Sequence, residues 1–468
     1  MARATGARAG AEARAGITMT EGPLPRILLR VALPITITNL AQASFDIVNA
    51  VWVGRLGEAA IAAITAGGPL FFVLISLGSG LSTAGAVLIA QIAGAKRFDR
   101  LDHVAAQTLL MVGLMALAFT LAGAATVGPL LRLIGVEPAI HDLAADYLAI
   151  RYVGMVPMFG FMALQAMLQA VGEVRFAMRV QIGSVIANAL LDPLLIFGVG
   201  PFPEMGVPGA ALATVIAQIG ALLVLLHHLL SGRSSLHLRG HHFQPDPAHI
   251  RLALSLGLPA SIEQAIRTFS SLLLMALAAS FGTLGLAAYG VGSRPLHFWF
   301  TPMIGLSIAT AAVVGQNIGA GLTARAEEAA RLSAWLGFAG MTLVGLAHLP
   351  FVPAMMTALA PGEPDVIASA STFAYIYFPF LGVLTVPQAL LGAFRGAGSP
   401  SHSMLISIVM QWMFQMPAAY LIAFGTDWGI LGIWWSYPIA NAAAALLCLY
   451  WFRHGSWRHR LTPPRPAQ

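Results

Sequence analysis

Apolar runs of about 20 residues follow one another along almost the whole chain, with short polar breaks between them. A helix of that length crosses the hydrocarbon core of a bilayer. Breaks such as 96–100 and 362–365 hold charged residues, glycine or proline, which end helices. The pattern predicts twelve membrane-spanning helices, near residues 27–53, 60–90, 103–128, 140–168, 180–200, 207–229, 252–280, 285–317, 331–352, 366–392, 403–425 and 429–452.

Composition supports a membrane location. Of the 468 residues, 58% are hydrophobic and 9% are charged, whereas a soluble domain carries roughly 25% charged residues. Lipid must therefore be the solvent for most of the surface. We predict an all-α integral membrane protein that contacts the bilayer. No soluble basic patch is long enough to follow a phosphate backbone, so we expect no nucleic-acid partner.

The basic residues indicate which side of the membrane each break faces. When sides alternate along the chain, nearly all lysines and arginines outside the segments fall on one side, and only Arg55 and Arg132 fall on the other. Basic loops stay in the cytoplasm. The sequence therefore predicts a multi-pass protein of the inner (plasma) membrane with both termini cytoplasmic. Residues 1–26 lack an apolar core, so we expect a cytoplasmic tail and no cleaved signal.

The two halves of the chain repeat one another. A single constant shift places Leu33-Pro34 on Leu258-Pro259 and Gly80-Leu81-Ser82 on Gly305-Leu306-Ser307. With a small offset, Gln169–Gly172 matches Arg395–Gly398. Six crossings per half give both halves the same orientation, so the sequence predicts two six-helix bundles related by a pseudo-twofold axis along the membrane normal. Two such bundles can alternate access to a central cavity.

The repeat and the polar breaks give the domain boundaries. We predict an N-terminal tail, a first bundle, a cytoplasmic linker, a second bundle and a C-terminal tail, over residues 1–26, 27–229, 230–251, 252–452 and 453–468. The break around the linker is rich in histidine but has no thiol companions, so we expect an unstructured loop and no metal site. We expect a monomer.

Three acids lie deep inside apolar segments: Asp46, Asp192 and Glu263. A carboxylate at membrane depth is costly and faces a cavity or a partner. Asn188 and Asp192 are four residues apart on one helical face, and Pro193 follows. Two acids and two amides from one bundle could enclose H⁺ or Na⁺. The predicted cation-coupling residues are Asp192, Asn188, Asp46 and Asn49, and the alternative is a structural hydrogen-bond network.

Segment one carries a polar stripe. Asn39, Gln42, Asp46 and Asn49 recur at helical spacing on one face. A stripe that holds a carboxylate favours a water-lined path, although a seam that joins helices by hydrogen bonds is the alternative. The stripe contributes two candidates for lining a substrate cavity, Asn39 and Gln42.

The second half offers further cavity candidates. Arg267 follows Glu263 by four residues, which favours a neutralised structural pair over a substrate role for Glu263. Aromatic walls suit flat cations, although packing and interfacial belts are the more frequent role of such residues. The candidates from this half are Glu263, Gln411, Gln415, Tyr375 and Trp412.

Several motifs resemble the multidrug and toxic compound extrusion (MATE) family over roughly residues 25–450. They are Leu33-Pro34 with Val51–Gly57, Gly172–Arg175 with Asn188–Pro193, Leu258–Gln264, and Phe394–Gly398. Each motif is weak alone, but in order and duplicated they are specific.

The resemblance implies export of amphipathic, often cationic compounds in exchange for H⁺ or Na⁺. It also implies a cation site made by an aspartate on helix one and an aspartate and asparagine on helix five. Asp192 and Asn188 match that pattern. Asn49 stands where helix one would carry its aspartate, and Asp46 lies one turn earlier on the same face. Arg267 occupies about the place of an acid that Na⁺-linked relatives carry on helix seven.

We therefore expect a secondary active antiporter that has no cofactor besides its coupling ion. A flippase for lipid-linked precursors, with Arg151, Arg267 and Arg294 as its basic candidates, is the alternative. An integral-membrane enzyme is less favoured, since it would need a clustered His/Asp or nucleophile site at one membrane face and the sequence shows none.

Overall fold

The computed structural model describes residues 18–455, 457 and 458, apart from the side chains of residues 46, 47, 50, 66, 67, 69, 70, 133, 134 and 139. All regular elements in this part are helical. The first half contains α1 (Leu24–Gly54), α2 (Glu58–Gly94), α3 (Phe98–Ile134), α4 (Pro138–Val153), α5 (Met155–Ala170), α6 (Val174–Ile196) and α7 (Val207–Leu230). The second half contains α8 (Pro247–Ala279), α9 (Gly282–Gly319), α10 (Thr323–His348), α11 (Val352–Leu359), α12 (Pro364–Tyr377), α13 (Leu381–Gly396), α14 (Pro400–Ile408), α15 (Met416–Gly425) and α16 (Leu431–His454).

The twelve predicted segments are confirmed. Eleven helical runs among the described residues are long and apolar enough to cross a membrane, and the bent pair α4 and α5 supplies the twelfth. That pair turns by 43° at its break. Pro157 lies just after the break and has no N–H to donate back across it, which accounts for the weak point. Three second-half spans are likewise built from consecutive short helices, and the π-helix Val409–Gln415 joins α14 to α15.

The chain forms two compact units whose limits fall inside helices. The first contains Ile37–Ser261, and the second contains Thr20–Thr36 and Ile262–Leu461. In the first unit, Ser261 Oγ donates to the carbonyl of Leu77 at 2.6 Å, and Gly80 leaves room for Ser261. In the second unit, Gly305 leaves room for Thr36 in the same way.

These two contacts are copies of each other. The constant shift of the sequence repeat carries Thr36 onto Ser261 and Gly80 onto Gly305. In the first unit, the beginning of α8 packs against Gly80 of α2. In the second unit, the beginning of α1 packs against Gly305 of α9. The duplication seen in the sequence is present in the packing.

The linker differs from the prediction of an unstructured loop. Gln107 on α3 donates to the carbonyls of His242 and Gln244 at 2.7 and 2.6 Å. Its oxygen accepts from the backbone N–H of Asp246 at 3.1 Å. Asp102 accepts from the N–H of His237 at 2.8 Å. Since all these partners lie on α3, the linker's own sequence did not reveal them.

Glu173, just before α6, holds the start of the linker. Its carboxylate accepts from the N–H of Ser235 at 2.7 Å and from the hydroxyl of Ser234 at 2.9 Å. His228 Nε2 lies 2.9 Å from its other oxygen. The end of α7 and the start of the linker therefore meet at one carboxylate of the first unit.

Asp246 caps the amino end of α8. Its Oδ1 accepts from the N–H groups of Ala248 and His249 at 3.0 and 3.2 Å. Its Oδ2 lies 3.3 Å from His103 Nε2. Burial alone would raise the pKa of Asp246, but these hydrogen bonds to His249, His103 and Ala248 lower it below its usual value. The cap is therefore ionised at neutral pH.

Candidate functional site

Among the acids of the first unit whose side chains the structure describes, Asp192 is the most enclosed. Its side chain on α6 has no exposed surface. When the Asn188 amide is oriented to satisfy its neighbours, its nitrogen donates to Asp192 Oδ2 at 3.0 Å and its oxygen accepts from the N–H of Thr214 at 3.0 Å. The pair predicted from the four-residue spacing is therefore in contact, and α7 adds Thr214 to it.

The electrostatics of this site are unbalanced. Asp192 Oδ1 is buried and accepts no hydrogen bond in the described part of the chain. None of the ion pairs found among the described residues involves Asp192. An ionised carboxylate without a partner is costly in an apolar interior. The site is therefore suited to hold a proton or a small cation on Oδ1.

Close helix packing positions these groups. A Cβ on Gly209, at the start of α7, would lie 2.5 Å from the carbonyl oxygen of Leu195 on α6. Only glycine permits that approach, which brings Thr214 within reach of Asn188. No group of three or more histidine, cysteine or acidic side chains suited to a metal occurs among the described residues.

Helix α1 carries the other two predicted cation-coupling residues, Asp46 and Asn49. The side chain of Asp46 lies outside the described residues. Asn39 Nδ2 and Asn49 Oδ1 are buried without a hydrogen-bond partner in the described part of the structure. No hydrogen bond joins Asn49 to Asn188 or Asp192 there. The roles of Asp46 and Asn49 stay predictions.

Three glutamines form a chain that the sequence analysis missed in part. Gln165 on α5 donates to Gln181 on α6 at 3.1 Å, and Gln181 donates to Gln42 on α1 at 3.0 Å. Only Gln42 was a candidate. Gln181 shares the helical face of Asn188 and Asp192, which is a periodic signal that could have identified it. Gln165 has a second amide, Gln169, four residues on in the same helix, but only the fold reveals its contact with Gln181.

Glu263 lies in a charged cluster of the second unit. The expected pair with Arg267 is present, and Arg395 Nη1 also donates to Glu263 Oε1 at 2.6 Å. Arg395 Nη2 donates to Ser307 Oγ at 2.8 Å, and Arg267 Nη1 donates to Gln388 Oε1 at 3.3 Å. The sequence predicted one arginine partner for Glu263, and the structure supplies two.

The remaining second-half candidates differ in burial. Gln411 and Gln415 are buried in the π-helix, a form often found at functional sites. Trp412 and Tyr375 are exposed, and the Trp412 ring stacks on Phe269 with centroids 5.9 Å apart.

The basic candidates for a flippase are also placed. Arg151 lies over the Phe71 ring, 4.4 Å from its centroid. Arg267 is paired with Glu263, and Arg294 is exposed. Arg151 lies in the first unit and the other two lie in the second.

Comparisons with known proteins agree with the architecture. A family model described as MatE matches residues 34–194 and 259–421. The "Probable multidrug resistance protein YoeA" of Bacillus subtilis is 29% identical over 437 residues, which cover 92% of this chain and 93% of that protein. The "FAD transporter" of Shewanella oneidensis is 26% identical, over 92% of this chain and 95% of that protein.

A solved structure supports the fold. The crystal structure of a MATE protein in complex with MaL6 superposes with a TM-score of 0.88 at 23% identity, and the match covers 94% of this chain and 97% of that one. The twelve-helix architecture is shared.

Proposed function

Because this chain belongs to the MatE family of multi-pass membrane transporters, we propose that it is a secondary antiporter that exports amphipathic organic compounds, mainly cations, in exchange for H⁺ or Na⁺. The exchange runs through the first-unit site around Asp192, by alternating access.

One observation carries the coupling proposal. Asp192 is fully buried, its Oδ1 has no partner in the described part of the chain, and Asn188 holds its other oxygen. A proton or a cation bound at Oδ1 would balance the negative charge of the carboxylate. A cycle of loading and release at this atom changes the charge inside the bundle, which is the property a coupling site needs.

The relatives and the amide chain together support the substrate class. The name of the Bacillus subtilis relative points to multidrug resistance, whereas the name of the Shewanella oneidensis relative points to a flavin dinucleotide. The amide chain of Gln42, Gln181 and Gln165 offers neutral hydrogen-bonding groups to varied ligands. We propose broad amphipathic substrates for that reason.

We also propose a plasma-membrane location, a monomeric state, and cytoplasmic termini. The asymmetry of basic residues supports the orientation, since arginine and lysine concentrate on the side of both tails.

The test is efflux of a fluorescent organic cation from proteoliposomes under an imposed pH gradient or Na⁺ gradient. Wild type is compared with Asp192→Asn, and Asp142→Asn is the matched control, since the Asp142 side chain is fully solvated at 101% relative exposure. We expect one gradient to drive efflux in wild type and the control, and Asp192→Asn to lose that dependence. Gradient-driven efflux that survives in Asp192→Asn would contradict the coupling site.

A further inference from the structure

The charges of the cluster around Glu263 in the second unit do not sum to zero. One carboxylate, Glu263, faces two guanidinium groups, those of Arg267 and Arg395, and both donate to the same oxygen, Oε1. Ser307 and Gln388 add neutral groups. The cluster carries one excess positive charge inside a bundle of apolar helices. Such a charge is costly unless an anion balances it.

The accessible part of the cluster is the cationic part. The Glu263 side chain is 2% exposed, whereas Arg267 and Arg395 keep 20% and 15% of their side-chain surface. Arg267 Nε is buried and has no hydrogen-bond partner in the described part of the chain. Its contact with Gln388 is long at 3.3 Å. Arg267 therefore retains donor capacity that the protein itself does not use.

The bundle architecture does not require charge at this place. The sequence repeat carries Thr38 onto Glu263, Gln42 onto Arg267 and Ser82 onto Ser307, and Gln169 corresponds to Arg395. The equivalent positions of the first half are all neutral. A six-helix bundle of this kind folds with hydroxyl and amide groups there, so the charges of the second half serve another purpose.

We infer that Arg267, together with Arg395, binds the anionic group of a transported molecule, a carboxylate or a phosphate. Planar guanidinium groups suit both anions. Glu263 is a positioning residue that holds the two guanidinium groups side by side. This inference rests on the proposed function, because it takes the ligand to be cargo, and it widens the substrate class from cations to zwitterions.

The experiment uses two probes that differ by one anionic group. Rhodamine B has a free carboxylate, and its ethyl ester is a cation without one. Both dissociation constants are measured for the full chain in nanodiscs of phosphatidylcholine, a zwitterionic lipid with no net charge. The readout is the ratio of the two constants, so a change that affects both probes alike cancels. The variants are Arg267→Gln and Arg267→Lys. The first introduces the residue type of the equivalent first-half position, Gln42, and the second keeps the positive charge. Arg294→Gln removes an exposed arginine of the same unit as the control.

We expect wild type and Arg294→Gln to prefer the acid, and Arg267→Gln to lose about tenfold of that preference, as for one charge-assisted hydrogen bond. Arg267→Lys should retain part of it. Glu263→Gln raises the excess charge and should increase the preference, which is opposite to the effect of a damaged fold. If Glu263→Gln does not fold, the Arg267 series decides alone.

No preference for the acid in wild type, or an equal preference in Arg267→Gln, would overturn the inference. If added phosphatidylglycerol competes with the acid in wild type and not in Arg267→Gln, the site stands and its anion is a lipid headgroup. Gradient-driven efflux of the ester tests the proposed function separately. If the ester is not exported under either gradient while wild type still prefers the acid, the coupling proposal is contradicted and the anion site stands.

Discussion

Asn188 and Asp192 lie one helical turn apart on α6, and the amide nitrogen of Asn188 donates to Asp192 Oδ2 at 3.0 Å. This hydrogen bond joins the acid that would change its charge to a neutral group that holds it in place. It also ties α6 to α7, because the same amide accepts from Thr214.

Asn188→Ala should therefore impair coupling without removing the acid. A hydrogen bond to a charged group contributes about 1.5–3 kcal/mol, so we expect gradient-driven efflux to fall roughly tenfold or more. Ser184→Ala is the matched control, since Ser184 on α6 donates to the carbonyl of Ala217 on α7 at 3.2 Å but does not touch Asp192. Equal losses in the two variants would indicate a packing defect instead.

The amide chain should act on substrate affinity. Gln42 is the exposed end of the chain and accepts from Gln181 at 3.0 Å. Gln42→Leu should raise the KM for efflux several-fold, about the effect of one lost hydrogen bond of roughly 1 kcal/mol. The dependence on the driving ion should stay as in wild type. An unchanged KM with altered ion dependence would place Gln42 in the coupling site.

The cap on α8 should hold the linker in place. Asp246→Ala removes the acceptor for two backbone N–H groups and should cost about 1 kcal/mol. Amide hydrogen exchange should increase at Ala248 and His249. Asp246→Asn is the control because asparagine caps helices about as well. If amide exchange at Ala248 and His249 increases equally in Asp246→Ala and Asp246→Asn, the charge of Asp246 matters more than its capping hydrogen bonds.

The same cap predicts a pH dependence. The pKa of Asp246 is lowered in the folded protein by its hydrogen bonds to His249, His103 and Ala248, against the opposing effect of burial. Its stabilising contribution is therefore complete above the unfolded value of about 4 and is lost as pH falls through the lower folded value. The protection factor of the Ala248 amide, which removes the intrinsic pH dependence of exchange, should not fall between pH 8 and 5 on account of Asp246. A fall within that range that is absent in Asp246→Ala would contradict the assignment.

Helix packing beside the acid depends on one glycine. Gly209→Ala places a Cβ 2.5 Å from the carbonyl oxygen of Leu195 and should lower the melting temperature of the purified protein measurably. Gly220→Ala on the same helix meets nothing within 4 Å and should be neutral. Equal melting temperatures for the two variants would mean that α7 does not need this close approach to α6.

The single cysteine makes the topology testable. Cys448 is fully buried, so an impermeant maleimide should not label the wild type in intact cells. Glu58→Cys, in an exposed position at the start of α2, should be labelled, and Asp99→Cys, exposed near the start of α3, should be labelled only after lysis. The opposite pattern would place both termini outside.

Most of the architecture could be predicted because membrane helices are local features. Apolar length alone located all twelve spans, and helical spacing alone paired Asn188 with Asp192. The second partner of Glu263 could not be found in this way, since Arg395 comes from a distant helix. Gln165 and the α3 partners of the linker were missed for the same reason. Pairing across long sequence separations is a property of the fold, and local patterns do not encode it.

The exchange of helix beginnings between the two units has a consequence for biogenesis. The second unit contains Thr20–Thr36, which leave the ribosome early, together with Ile262–Leu461. The described part of the first unit is complete only when synthesis has reached Ser261. The start of α1 must therefore wait in the translocon or in the lipid until the second half is made. A chain truncated after the linker would therefore leave both units unfinished.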